Sequence, residues 1–143
     1  MNGIDSYIKE QFDIPEVDIH TYSPLALAYI GDGVFDLVVR TVILGKGNTK
    51  PNQLHLRASR IVKAQTQAQM VEALEDVLSE EERDVYRRGR NAKSQSTAKN
   101  ASLADYRKAT GFEALVGYLY LTDRFQRVVE LTKIAANKLE LDF

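Results

Sequence analysis

Two carboxylates stand where a core-building helix would carry apolar side chains. Asp32 interrupts the run Leu27-Ala28-Tyr29-Ile30-Gly31-Asp32-Gly33-Val34-Phe35, and Glu113 interrupts Gly111-Phe112-Glu113-Ala114-Leu115-Val116-Gly117. An unpaired interior carboxylate costs several kcal/mol as an order of magnitude, so each needs a cation, a cap or water. Two arrangements meet that need. Either each acid is neutralised by a buried arginine, such as Arg57 or Arg60, or the two acids share a divalent cation. Magnesium takes oxygen ligands and keeps waters, so one or two carboxylates plus a substrate phosphate suffice for it. Glycines flank both acids, each costing about 1 kcal/mol in a helix interior relative to alanine, and they let a neighbouring helix or a ligand come close. Asp36 lies four residues after Asp32 on the same helical face; it is either a third donor to the same metal or a supporting or surface acid.

A second constellation is basic. Residues 83–99 hold Arg83, Arg87, Arg88, Arg90, Lys93 and Lys99 against Asp84 alone. Arg83, Arg87 and Arg90 are spaced by four and three, which aligns them on one face of a helix. Such a ridge is either a solvated surface or, with the small polar residues 92–101 beside it, a binding surface for a phosphate backbone. Residues 1–20 lean the other way, with Asp5, Glu10, Asp13, Glu16 and Asp18 against Lys9.

The elements that must position these residues are helical. With 143 residues, 44% of them apolar, the chain is one globular domain's worth, taken as a single domain over 1–143. Ser23-Pro24 caps and opens a helix running to about Leu44. A second long helix starts near Pro51 and carries Leu54, Ala58, Ile61 and Val62, then Met70, Val71 and Leu74. Ser79 with Glu82 forms a capping box for a helix ending at Arg90-Asn91. Ser102 with Asp105 caps a helix over Tyr106 to Leu121, and Asp123 with Gln126 a last one to about Leu139. No segment alternates strictly, so the fold class is all-α, with five or six helices.

Composition excludes several chemistries. There is no cysteine, hence no disulfide scaffold, thiolate zinc site or cysteine nucleophile. The only histidines are His20 and His55, and His55, among leucines, reads as structural. The formal charge is -1, so the chain has no uniformly basic coat. No apolar run reaches the roughly 18 residues of a membrane span, and the amino terminus lacks the pattern of a secretory signal. A soluble cytoplasmic protein is expected.

Leu27-Ala-Tyr-Ile-Gly-Asp32-Gly-Val-Phe-Asp36 resembles the signature helix of the ribonuclease III catalytic domain. Leu54-His-Leu-Arg57-Ala58-Ser-Arg60-Ile-Val62 looks like that family's second characteristic helix, and Thr110-Gly-Phe-Glu113-Ala-Leu-Val-Gly117 like its later acidic helix. The likeness spans roughly residues 22–135, in the family's order. Two positions where the family carries acids are Ala28 and Thr110 here. These departures, with Arg87-Arg88-Gly89-Arg90-Asn91-Ala92-Lys93-Ser94, resemble the Mini-ribonuclease III subfamily.

The resemblance implies a ribonuclease III-like helical bundle acting as a homodimeric, magnesium-dependent endoribonuclease on double-stranded RNA, with large-subunit (23S) ribosomal RNA precursor as the leading substrate. It also implies no separate double-stranded-RNA-binding domain, and the chain length agrees. It leaves open whether a ribosomal protein assists. Asp32 and Glu113 are then the catalytic, metal-holding pair. Arg83, Arg87, Arg90, Lys93 and Lys99 become RNA contacts, and Val34, Phe35 and Leu37 candidates for the dimer face. With two acids missing, a millimolar demand for Mg2+ is expected. The rival readings are a helical RNA-binding or ribosome-associated module that lost catalysis, and an interaction bundle that touches no nucleic acid.

Overall fold

The computed structural model describes residues 3–92 and 102–143. Their regular structure is helical: α1 (Ile4–Gln11), a 3-10 turn (Ile19–Thr21), α2 (Pro24–Lys46), α3 (Pro51–Val62), α4 (Ala64–Ala73), α5 (Glu80–Asn91), α6 (Leu103–Leu121) and α7 (Phe125–Leu139). The all-α expectation holds. Among the described residues, no helix is long and apolar enough to cross a membrane.

Local chemistry sets most of the helix starts. The Ser23 hydroxyl accepts from the Ala26 N–H at 3.1 Å, and Pro24 occupies the first helical position, where its missing N–H goes unneeded. Ser79 and Glu82 form both halves of the capping box, at 3.1 and 2.8 Å. Ser102 accepts from the Asp105 N–H at 3.0 Å.

Three expectations need correction. The helix read as continuous from Pro51 to Leu74 is broken at Lys63, whose φ of -65° and ψ of 153° are extended. The Thr66 hydroxyl donates to the Arg60 carbonyl at 2.7 Å and the Gln67 amide to the Val62 carbonyl at 2.6 Å, so side chains take carbonyls that a continuing helix would have used. Asp123 does not cap α7. It sits in the left-handed region at φ 61° and ends α6: the Arg124 N–H donates to the Leu119 carbonyl at 2.8 Å and the Asp123 N–H to Tyr120 at 3.3 Å, the pairing of a Schellman motif. The expected five or six helices become seven α-helices among the described residues, because the amino-terminal segment contributes α1 and the break at Lys63 makes two helices of one.

Helix α6 is the axis of the bundle, with α2, α4, α5 and α7 packed around it. From Ala109 to Leu119 every residue of α6 except Glu113 is buried. Phe35 of α2 meets Phe112 of α6 edge to face, with ring centroids 5.2 Å apart. The α2–α6 crossing is closer than side chains would permit. A Cβ on Gly31 would lie 1.7 Å from the Glu113 carbonyl oxygen, and one on Gly117 would lie 2.0 Å from the Leu27 carbonyl oxygen. On the other side of α6, a Cβ on Gly89 of α5 would come within 2.7 Å of the Ala114 Cβ. Gly33 is different: nothing lies within 4 Å of its Cβ position, so it serves no close approach inside the chain.

The two glycines beside Asp32 therefore respond oppositely to the same change. Gly31→Ala drives a methyl into backbone and lowers stability by about 3 kcal/mol or more, the upper range for overpacking. Gly33→Ala meets open space and raises stability by up to about 1 kcal/mol through helix propensity. Urea unfolding of the two variants measures both.

Candidate active site

Asp32 leaves α2 beside Gly31, and Glu113 leaves α6 at the residue whose carbonyl Gly31 touches. The glycine contact thus brings the two acids to one place. They line a common cleft of about 300 Å³ together with Leu25, Ala28, Tyr29, Tyr106 and Thr110. Asp32 is exposed and Glu113 half-buried, and the charge of Asp32 acts on the Glu113 carboxyl across the cleft. Among the described residues, neither acid has an arginine or lysine partner, so the arrangement with Arg57 or Arg60 is not the one adopted.

Burial, then the negative charge of Asp32, push the Glu113 carboxyl up to about 8, against the opposing pull of the Gln67 amide. Near neutral pH, Glu113 accordingly holds a proton, which offsets the crowding of two acids. A divalent cation would relieve the same repulsion with greater charge. The donor set, all oxygen and without nitrogen or sulfur ligands, fits a hard cation such as Mg2+. Among the described residues no group of three or more His, Asp or Glu side chains could hold a metal, so water and phosphate must complete the shell. Ala28 and Thr110 lie one turn from the acids on the cleft wall. The Thr110 hydroxyl donates back to the Tyr106 carbonyl at 3.0 Å.

Asp36 does not join this cleft. It pairs with Arg40 at 2.8 Å on the surface of α2, because an arginine four residues on reaches it more readily than the site does. Arg83 and Arg87 are exposed and Arg90 half-buried along α5. Arg83 donates to the Glu75 carbonyl at 2.8 Å and Arg87 to Asp84 at 2.7 Å. Arg90 lies over the Tyr86 ring, 5.6 Å from its centroid. Lys93 and Lys99 lie outside the described residues. His55 is exposed, in a groove it lines with Leu44 and Leu54.

Two features went unread in the sequence. Gln67 is 2% exposed and sits between the α3–α4 break and Glu113, donating to Glu113 Oε2 at 3.4 Å; its signal was a polar Gln-Thr-Gln run inside a supposed core helix. Residues 37–71 carry Arg40, Lys46, Lys50, Arg57, Arg60 and Lys63 without one acid, a second basic tract that only a charge count along the chain reveals.

The family model for the ribonuclease III domain matches residues 25–124. Mini-ribonuclease 3 of Clostridium tetani is 43% identical over 135 residues, covering 94% of this chain and 88% of its own length. Mini-ribonuclease 3 of Brevibacillus brevis is 49% identical, covering 82% of this chain and 88% of its own length. The crystal structure of protein FN1578 from Fusobacterium nucleatum superposes with a TM-score of 0.77 at 27% identity, over 88% of this chain and all of that one.

Glu113 gives stability a definite pH dependence in the absence of metal. Its carboxyl ionises near 4.5 in an open chain and about 8 in the fold, so between these values the native state holds the extra proton. The contribution is full below pH 4.5 and is lost as pH rises through about 8, with a slope approaching 1.4 kcal/mol per pH unit at most. Denaturation in EDTA across that window should show wild-type stability falling with pH, and Glu113→Gln should remove the fall.

Proposed function

Since this chain belongs to the ribonuclease III family, in its Mini-ribonuclease 3 branch, we propose that it is a magnesium-dependent endoribonuclease that cleaves double-stranded RNA, acting in the cytoplasm on the precursor of large-subunit (23S) ribosomal RNA. The observation that carries this reading is the meeting of Asp32 and Glu113 in one cleft, without a guanidinium on either.

Asp32 and Glu113 would hold the cation. Bound Mg2+ supplies charge stabilisation at the attacking and leaving oxygens and acidifies its own water. The residues of the chain do the rest. Glu113 would hold the cation as the carboxylate, so metal uptake would be coupled to release of its proton. Asp32 is the more exposed acid of the pair. Ala28 and Thr110, carrying no charge, leave coordination positions to water and phosphate and weaken affinity for the free ion, which supports a millimolar demand for Mg2+.

A-form RNA is read through phosphates, shape and 2′-hydroxyls across its shallow groove. Arg83, Arg87 and Arg90, with Lys93 and Lys99, are the proposed phosphate contacts, and binding through them weakens steeply with salt. Arg87 must exchange its bond to Asp84 for one to RNA.

A duplex has two strands to cut and one chain offers one cleft, so the active form is a homodimer with a site for each strand. The face for it lies along α2, where Tyr29, Leu37 and Leu44 follow one another at helical spacing and are 83%, 57% and 53% exposed, with Leu56 of α3 at 53%. Exposed apolar residues gathered along one helix support an interface there. Val34 and Phe35, candidates from sequence, are buried in the core at 6% and 1% and leave Leu37 alone of the three.

Purified protein incubated with duplex RNA and Mg2+ tests the activity. Wild type should cut, while Asp32→Asn and Glu113→Gln should stay folded and lose at least about a hundredfold in rate, given the several kcal/mol a catalytic metal contributes. Retention of RNA without cleavage by the wild type would select the inactive RNA-binding module instead. For the dimer, Leu37→Asp should sediment as a monomer; an unchanged dimer removes the α2 stripe from the interface.

A further inference from the structure

We propose that Gln67 is a positioning residue for Glu113: fixed by the break between α3 and α4, its amide aims the Glu113 carboxylate at the cation site. The inference rests on the metal-dependent nuclease reading above and adds a residue to it. Gln67 is 2% exposed. One of its amide protons goes to the Val62 carbonyl at 2.6 Å and another to Glu113 Oε2 at 3.4 Å. The first acceptor is backbone at the end of a helix, so the amide plane is held, and the direction of the second N–H with it. That bond engages one Glu113 oxygen and leaves the other for the cation.

The other end of the amide points to the same role. Gln67 Oε1 is buried and has no hydrogen-bond partner among the described residues. A buried, unsatisfied amide oxygen is unfavourable, and an apolar side chain of similar length would avoid it. Closing the end of α3 uses only one of the two amide protons, the one on the Val62 carbonyl at 2.6 Å, beside the Thr66 hydroxyl on the Arg60 carbonyl at 2.7 Å. What glutamine alone supplies is a second donor, and that donor is turned to Glu113. Residues that orient metal ligands in this way typically govern affinity by about 10- to 100-fold.

The test compares Gln67→Met, which keeps the length and removes the donors, with Thr66→Val, which weakens the same break without touching Glu113. Mg2+ is titrated by thermal shift without RNA, and by cleavage of duplex RNA. Gln67→Met should raise the Mg2+ concentration for half-effect about tenfold in both assays, lower kcat at fixed Mg2+ and leave KM for RNA unchanged. Thr66→Val should lower the melting temperature and leave the Mg2+ titration as in wild type. Gln67→Leu repeats the comparison with a branched apolar chain. A wild-type-like titration for both Gln67 variants, or an equal shift in Thr66→Val, overturns the proposal while Asp32→Asn still loses cleavage. A wild type that neither binds Mg2+ nor cuts overturns the nuclease reading beneath it.

Discussion

The backbone contact between α2 and α6 governs the rest of the molecule. Gly31 against the Glu113 carbonyl and Gly117 against that of Leu27 let two helices approach at a separation that any Cβ would forbid. The same contact sets the core and the chemistry. It seats Phe35 on Phe112 below the crossing and delivers one carboxylate from each helix to the cleft above it. Neither acid could be moved independently, because each is anchored within a residue of the contact that joins the helices.

Two acids facing each other are electrostatically unfavourable, and the fold tolerates them by three means. Asp32 stays in water. Glu113 takes a proton, its carboxyl raised by burial and by its neighbour. Gln67 offers a hydrogen bond from below. None of these supplies a full positive charge, and no arginine is brought in to do so. Structural acids elsewhere in this protein are treated differently: Glu82 is clasped by Arg127 at 2.8 Å and Glu81 by Arg124 at 2.9 Å. The contrast separates acids that hold the fold from acids kept available.

Much of this was legible in the sequence. Glycine beside an acid in an apolar helix signalled close crossing, and Ser23, Ser79 and Ser102 announced three helix starts that depend only on neighbouring residues. What failed depended on information further away. The break at Lys63 carries neither glycine nor proline; it is made by Thr66 and Gln67 reaching back to carbonyls of the previous turn, which periodicity does not register. Asp123 looked like a cap, yet the end of α6 claimed it first in a left-handed conformation. Gly33 reads like Gly31 in sequence, but only one of them faces another helix. Val34 and Phe35 could not be sorted from Leu37 before the rotation of α2 was known.

The burial of α6 has a consequence for how such a site can diverge. Its flanks are occupied by α2, α4, α5 and α7, and only Tyr106, Thr110 and Glu113 reach the cleft, about one per turn. Evolution can therefore rewrite the ligand shell from this helix at very few letters, and Thr110, whose hydroxyl is bonded only to the Tyr106 carbonyl of its own helix at 3.0 Å, is one of them. Metal demand can drift over generations while the scaffold stays still.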